Sequence, residues 1–326
     1  MKLCVCISML CLLAGCGTPS FLITPVENTY ELQETVVQPG TGGIFHASKV
    51  AIIPVEGTLM DARATGLFQA GENPLSLFVQ QLDAAAKDDS VKAVVLRVNS
   101  PGGSVTTSDT MYDALVSFRQ KTHKPVVASC QEVCASGAYY TSCGADKIVA
   151  NPTSLVGSIG VIFESFDVAD AMQKLGIIVD PVKSAELKDM GSPFKHQTPH
   201  EREVMQAMVD EYFARFKGVV VSNRPIKDQT QLPTITDGRV FSGARALDLG
   251  LVDQLGNLDD AVDLARKMSN SPGASVVMFR RPYGYAGSIY ADSAVPQPQA
   301  NTNTTTLKLP FTDSLVPDGF YYLWQP

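Results

Sequence analysis

The sequence predicts an α/β fold, and three observations carry that prediction. Short, continuous apolar runs at residues 49–55, 93–98 and 125–130 have the pattern of strands buried on both faces. Between them apolar residues recur at helical spacing, as in Leu75, Phe78, Val79, Leu82 and Ala86. No Gly-x-Gly-x-x-Gly fingerprint of a dinucleotide fold accompanies the alternation. Periodicity alone does not separate a doubly wound sheet from repeated strand–strand–helix units.

The chain opens with Lys2, an apolar run over residues 3–13, and then Leu13-Ala14-Gly15-Cys16. The run is shorter than the roughly 20 residues of a bilayer span and fits the apolar core of a signal peptide. Small residues before a cysteine resemble the bacterial lipobox, so residues 1–15 are expected to be a lipoprotein leader and Cys16 the lipidated first mature residue. An ordinary signal peptide or an uncleaved anchor is the alternative. Gly17 is not the aspartate commonly linked to inner-membrane retention. Residues 16–48 are polar, carry Pro19, Pro25, Pro39 and the glycines Gly40, Gly42 and Gly43, and are expected to tether the following domain to the membrane.

Residues 49–281 are expected to form that domain. A first strand at 49–55 closes at Gly57, and a helix carries the apolar stripe from Leu75 to Ala86. The strand at 93–98 stops at Asn99-Ser100-Pro101-Gly102-Gly103, and a helix over about 107–120 places Met111, Leu115 and Phe118 on one face. After the strand at 125–130, Ser136 opens a helix. Strands are expected at 147–150, 159–162 and 177–179, with a helix over 167–175. Thr198-Pro199-His200-Glu201 starts a long helix, with threonine as N-cap, proline in the first turn and an acidic residue after it. Its stripe of Met205, Met208, Val209, Tyr212, Phe213 and Phe216 suits a core or a subunit interface. A strand–helix unit over 237–253 closes the domain.

From residue 282 to 318 the composition turns to Pro, Gln, Asn and Thr, and is expected to be a flexible linker. Residues 319–324 are sharply apolar again, which suggests docking into a groove on the same or a neighbouring subunit.

The net charge of −7 argues against tracking nucleic-acid phosphates. Four of the seven cysteines fall within the first 16 residues, while Cys130, Cys134 and Cys143 flank Ser136. Cys130 and Cys134 could bridge in an oxidising compartment, but small buried residues are the favoured reading. No metal-ligand cluster or phosphate loop stands out, so neither metal nor cofactor is expected. His46, His123, His196 and His200 are assigned to polar surface positions.

The candidate chemistry gathers around Cys134-Ala135-Ser136-Gly137-Ala138. A serine between small residues at a strand-to-helix turn can serve as a nucleophile. Gly137 with Gly102 or Gly103 can offer unobstructed backbone amides to an oxyanion. The remaining part is a base, and Lys188 supplies one; Lys183 is its rival in the same segment. A lysine acts as base only when neutral, which requires desolvation and requires Asp189 to point away from it. Ser158 can orient the amine. Nucleophile, donors and lysine together point to a serine–lysine hydrolase.

The segments SPGGSV, ASGAYY, GADKIVANPTSLVGSIGVI and KSAELKDMGSPF, in this order, resemble the signal peptide peptidase A (SppA, protease IV-like) family over roughly residues 49–277. The resemblance implies a ClpP/crotonase-like fold of repeated strand–strand–helix units with C-terminal helices. It implies a Ser136–Lys188 dyad, an oxyanion turn at Gly102 and a lysine-orienting Ser158. It further implies a homo-oligomeric ring in which neighbouring subunits share each dyad. Ala138 and Ala185 stand where the family commonly has glycines. The expected protein is a serine endopeptidase, lipid-anchored in the bacterial cell envelope, that cleaves signal-peptide remnants or other apolar peptides; the alternative is an inactive peptide-binding scaffold of the same fold.

Overall fold

The structure is a computed structural model that describes residues 31–41, 48–62, 72–281 and 319–324. The leader, Cys16 and the linker over 282–318 lie outside the described residues, as does most of the tether.

The chain alternates strands and helices in the order β1 (Gln33–Gln38), β2 (Lys49–Leu59), α1 (Pro74–Lys87), β3 (Val91–Ser104), α2 (Val105–Thr122), β4 (Val126–Ala135) and α3 (Gly137–Ser142). Short strands follow, β5 (Lys147–Ala150), β6 (Leu155–Gly157) and β7 (Ile162–Glu164), then α4 (Ala169–Lys174) and a 3-10 turn at Glu186–Asp189. The remainder is α5 (Pro199–Asn223), α6 (Leu232–Ile235), β8 (Val240–Ser242), α7 (Gly243–Leu249), β9 (Gln254–Leu255), α8 (Leu258–Met268), β10 (Ser275–Arg280) and β11 (Gly319–Leu323).

The main sheet runs β1-β10-β2-β3-β4-β5-β9, parallel throughout except for the antiparallel edge strand β1. Helices cover both faces, which explains the unbroken apolar runs. Val50, Ile52, Ala93, Val95 and Val127 pack with Leu258, Ala261 and Val262 of α8. Their alternating neighbours Ala51, Ile53, Val94 and Leu96 join the larger cluster with Phe78, Leu82, Met111 and Leu115 of α1 and α2.

The two central strands outrun the main sheet, and that geometry positions the site. Residues 127–130 of β4 pair with β5, whereas residues 133–135 pair with β6. β3 does not stop at Asn99, as the turn-like residues suggested, but continues through Ser100-Pro101-Gly102-Gly103 to Ser104. The extension is held by β2, through Thr58↔Gly102 and Leu59↔Gly103, and by β11 on the other side. Pro101 is tolerated because its carbonyl is the group used, accepting from Trp324 N–H at 2.8 Å. β2 likewise runs past Gly57, whose φ of 63° accompanies a register shift between Glu56 and Thr58.

Two expected strands are absent. Residues 159–162 mostly form the turn between β6 and β7, because Ser158 enters it at a φ of 50°. Residues 177–179 have strand-forming composition but pair with no described strand, and Ile178 is 89% exposed. The long helix begins as expected: the Thr198 hydroxyl accepts from Glu201 N–H and the Glu201 carboxylate accepts from Thr198 N–H. Of its stripe, Met205 and Phe216 are buried, and Tyr212 packs against the core. The apolar residues after 318 dock on this same chain, as β11. Among the described residues no helix is long and apolar enough to cross a membrane.

Candidate active site

Ser136 stands at the junction where β4 ends and α3 begins. Its backbone takes φ 53° and ψ −119°, and its side chain makes no capping bond to the helix it precedes. An L-residue at positive φ away from a simple turn is strained by about 1–3 kcal/mol and persists only where its surroundings fix it. Here they do. Ser136 N–H donates to Gly157 O at 2.7 Å, and Ser136 O accepts from Tyr140 N–H at 2.8 Å. The helix behind it is anchored by two fully buried tyrosines. Tyr139 OH donates to Leu251 O at 2.8 Å, and Tyr140 OH donates to Asp109 Oδ1 at 2.5 Å. Asp109 is clamped in turn by Arg215 Nε and Nη2 at 2.9 and 2.7 Å.

The Ser136 hydroxyl bonds to no described residue, although the residue is only 1% exposed. Gly137 follows it because a β-carbon there would fall 2.2 Å from Ser108 Oγ. Gly102 approaches from β3 at φ 98°, and a β-carbon on it would stand 2.5 Å from Gly137 N. The two glycines therefore meet directly beside the serine. Gly103 packs the other way, where a β-carbon would stand 1.9 Å from Leu59 O. Gly102 N–H donates to Ser100 Oγ at 3.1 Å, and Ser100 Oγ donates to Gly57 O at 2.6 Å. Ser100, which sequence reasoning treated only as part of a turn, thus braces that loop.

Ser158 is brought to the same place. The pairing Ala135↔Gly157 sets Ser136 and Ser158 one residue beyond matched positions on adjacent strands. Ser158 N–H donates to Arg239 O at 2.8 Å, and its hydroxyl bonds to no described residue. A groove of about 560 Å³ adjoins it, lined by residues that include Ile162, Phe213, Asp237 and Trp324.

Lys188 is not brought to the serine. It is exposed on the 3-10 turn, and its amine makes no hydrogen bond or ion pair with any described residue, Ser136 included. Asp189 is turned to other partners: it accepts from Lys183 at 2.8 Å and from Lys195 at 2.7 Å, which hold its carboxyl down at about 2. Lys195 also reaches the buried Glu201. Lys195 and Glu201 were not singled out from sequence; the capping-box pattern marked Glu201 only as a helix start.

Cys130, Cys134 and Cys143 are buried free thiols, as the packing reading expected. Burial pushes the Cys130 thiol up and that of Cys143 to about 12, so neither competes with Ser136 as a nucleophile. Of the described histidines, His196 pairs with Asp167 at 2.8 Å and His200 lies 3.9 Å from Glu203, while His123 caps α2; none is bonded to Ser136.

Residues 118–271 match the model of peptidase family S49, and residues 55–154 match that of Clp protease. The second match agrees with the ClpP/crotonase-like fold. A protein of Enterococcus faecium provisionally named signal peptide peptidase SppA is 30% identical over 89% of this chain and 85% of its own length. A protein of Methanocaldococcus jannaschii provisionally named a protease is 38% identical over 66% of this chain and 68% of its own. Protease 4 of Salmonella typhi is 36% identical over 68% of this chain but only 34% of that longer protein. A strained serine beside Gly102 and Gly137, its hydroxyl bonded to no described residue, in a chain with these relatives, leads to one assignment: the chain belongs to peptidase family S49 and is a serine peptidase.

Proposed function

We propose that Ser136 is the nucleophile of an endopeptidase, that the backbone at Gly137 and Gly102 stabilises the oxyanion while Gly103, turned toward Leu59, does not, and that Lys188 of a second copy is the base. The observation that carries this reading is the backbone of Ser136: a φ of 53° on a residue whose hydroxyl bonds to no described residue, directly before Gly137, where Gly102 makes its close approach. The exposure of Lys188 supports supply from outside. A lysine loses its proton near neutral pH only when desolvated, and its own chain does not bury this one. Exposed apolar residues earlier in the same segment, Leu175 at 75%, Ile178 at 89% and Val182 at 103%, support its burial by a neighbouring subunit. Ser158, beside Ser136, then orients the incoming amine.

Attack by Ser136 on a peptide carbonyl gives an acyl-enzyme that water hydrolyses. The lipobox-like Cys16 supports attachment to a membrane of the cell envelope, with the residues before β1 as the tether, since residues 33–38 of the expected 16–48 tether belong to the sheet, and with apolar peptides as substrates of the domain that follows. Ser136→Ala should lower peptide hydrolysis at least about a thousandfold with the fold intact. A fluorophosphonate probe should label wild-type protein at Ser136. Unchanged hydrolysis in the variant, or an unlabelled serine, would defeat the assignment in favour of a binding scaffold.

A further inference from the structure

The turn that carries Lys188 also carries a carboxylate able to disarm it. Asp189 is the next residue, and an unpaired anion there would favour the charged lysine, the form that cannot accept a proton. Other cations occupy that anion. Lys183 Nζ donates to both Asp189 oxygens, each at 2.8 Å, and to Glu186 O at 3.1 Å. Lys195 Nζ donates to Asp189 Oδ1 at 2.7 Å and also to Glu201 Oε1. Glu201 is fixed in turn: its carboxylate, 2% exposed at the start of α5, accepts from Thr198 N–H at 2.9 Å. Two ammonium groups and two carboxylates thus form a chain of zero net charge, and Lys188 bonds to none of them.

We infer that Lys183 and Lys195 are positioning residues that hold Asp189 off Lys188, so that the base of the peptidase can lose its proton near neutral pH. The inference rests on Lys188 being the base, and it holds whether that lysine serves its own serine or a neighbour's. It also separates the two lysines of the segment. Lys183 spends its donors on Asp189 and Glu186 and is the clamp, whereas Lys188 spends none on any described residue. The segment packs on α5 and β7, since a β-carbon on Gly191 would lie 3.4 Å from Met205 and 3.5 Å from Phe163. The charged groups those elements bring are Glu201, one turn before Met205, and Glu164 beside Phe163. His196 follows Lys195 and meets Asp167 and Asp170 at 2.8 and 3.2 Å. Its hydrogen bond to Asp167 raises its pKa above the ordinary histidine value, which makes it the control for any titration near neutrality.

The test is the rate of fluorophosphonate labelling at Ser136 as a function of pH, measured on the full chain. In wild type the rate should rise through an acid limb set by Lys188. Lys183→Met combined with Lys195→Gln removes both ammonium groups and leaves Glu201 an amide donor. The limb should then move up by about one pH unit, which is about tenfold slower labelling below it. Adding Asp189→Asn to that pair should return the limb to its wild-type position, whatever the height of the plateau. A purely structural clamp would lower the plateau and leave the limb in place. Lys183→Met alone keeps Lys195 on Glu201 and should move the limb the same way by less; it carries the test if the double variant does not fold. His196→Gln should leave the limb where it is. A limb that stays put in both lysine variants, that Asp189→Asn fails to restore, or that follows His196 would overturn the inference while leaving Lys188 as the base. A Lys188→Ala chain that labels as fast as wild type would overturn the base assignment and this inference with it.

Discussion

At the scale of the residue, Ser136 shows function bought with stability. Its positive φ is a conformation that suits glycine, and its hydroxyl bonds to no described residue. Relief of the strain, offset by the greater chain entropy of glycine when unfolded, gives a definite expectation. Ser136→Gly should be inactive yet about 1 kcal/mol more stable, raising the melting temperature by roughly 2 °C in a domain of this size. Calorimetry of the variant decides it, and a lower melting temperature would show that the turn is not strained. The serine itself was legible in the sequence because small residues around a strand-to-helix serine are a local pattern. The partners that fix its geometry were not. Gly157 holds Ser136 itself, while Leu251 and Ser108 hold its neighbours Tyr139 and Gly137, through tertiary contacts that no short window of sequence contains.

At the scale of the element, strands with helices on both faces were legible because double burial demands continuous apolar runs. Elements whose fate depends on a distant partner were not. Residues 99–104 contain proline and two glycines and look like a turn, but β11, more than two hundred residues away, holds them extended. Residues 177–179 look like a strand but pair with no described strand. The lysine segment shows the same dependence on remote groups, since Asp189 is held by Lys183 and Lys195, and Lys195 is tied to Glu201 at the start of α5. The depressed Asp189 carboxyl stabilises the segment fully above the ordinary carboxylate range near pH 4, and that contribution is lost as pH falls toward 2. Pepsin should therefore begin to cut within residues 183–195 as pH falls through this window, before the sheet unfolds. Asp189→Asn should be cut there already at pH 4. Resistance of that variant equal to wild type would show that the clamp does not hold the segment.

At the scale of the whole molecule, neither the Ser136 hydroxyl nor the Lys188 amine bonds to any described residue of the single chain. Two arrangements can join them: a hinge that brings Lys188 to its own Ser136, or a ring in which each lysine serves the next subunit. The aromatic stripe of α5 does not choose between them, because Phe320 and Tyr322 of the same chain already cover Tyr212 and Phe216. The exposed apolar residues in the segment that leads to Lys188 favour the ring, since a closed head-to-tail assembly would bury them. Subunit mixing separates the two. Ser136→Ala and Lys188→Ala are each expected to be inactive alone. In an equal, random mixture within a ring, a site is whole only if a Lys188→Ala subunit, which keeps its serine, lies next to a Ser136→Ala subunit, which keeps its lysine. The chance of that at each interface is about one half times one half, so roughly a quarter of wild-type activity should return, reaching its maximum at equal proportions. An intrachain dyad returns nothing at any ratio. The mixture is co-expressed so that subunits assemble together, and native mass spectrometry confirms that mixed species form. Mixed assemblies that stay inactive at every ratio would exclude the shared site and return the lysine to its own chain.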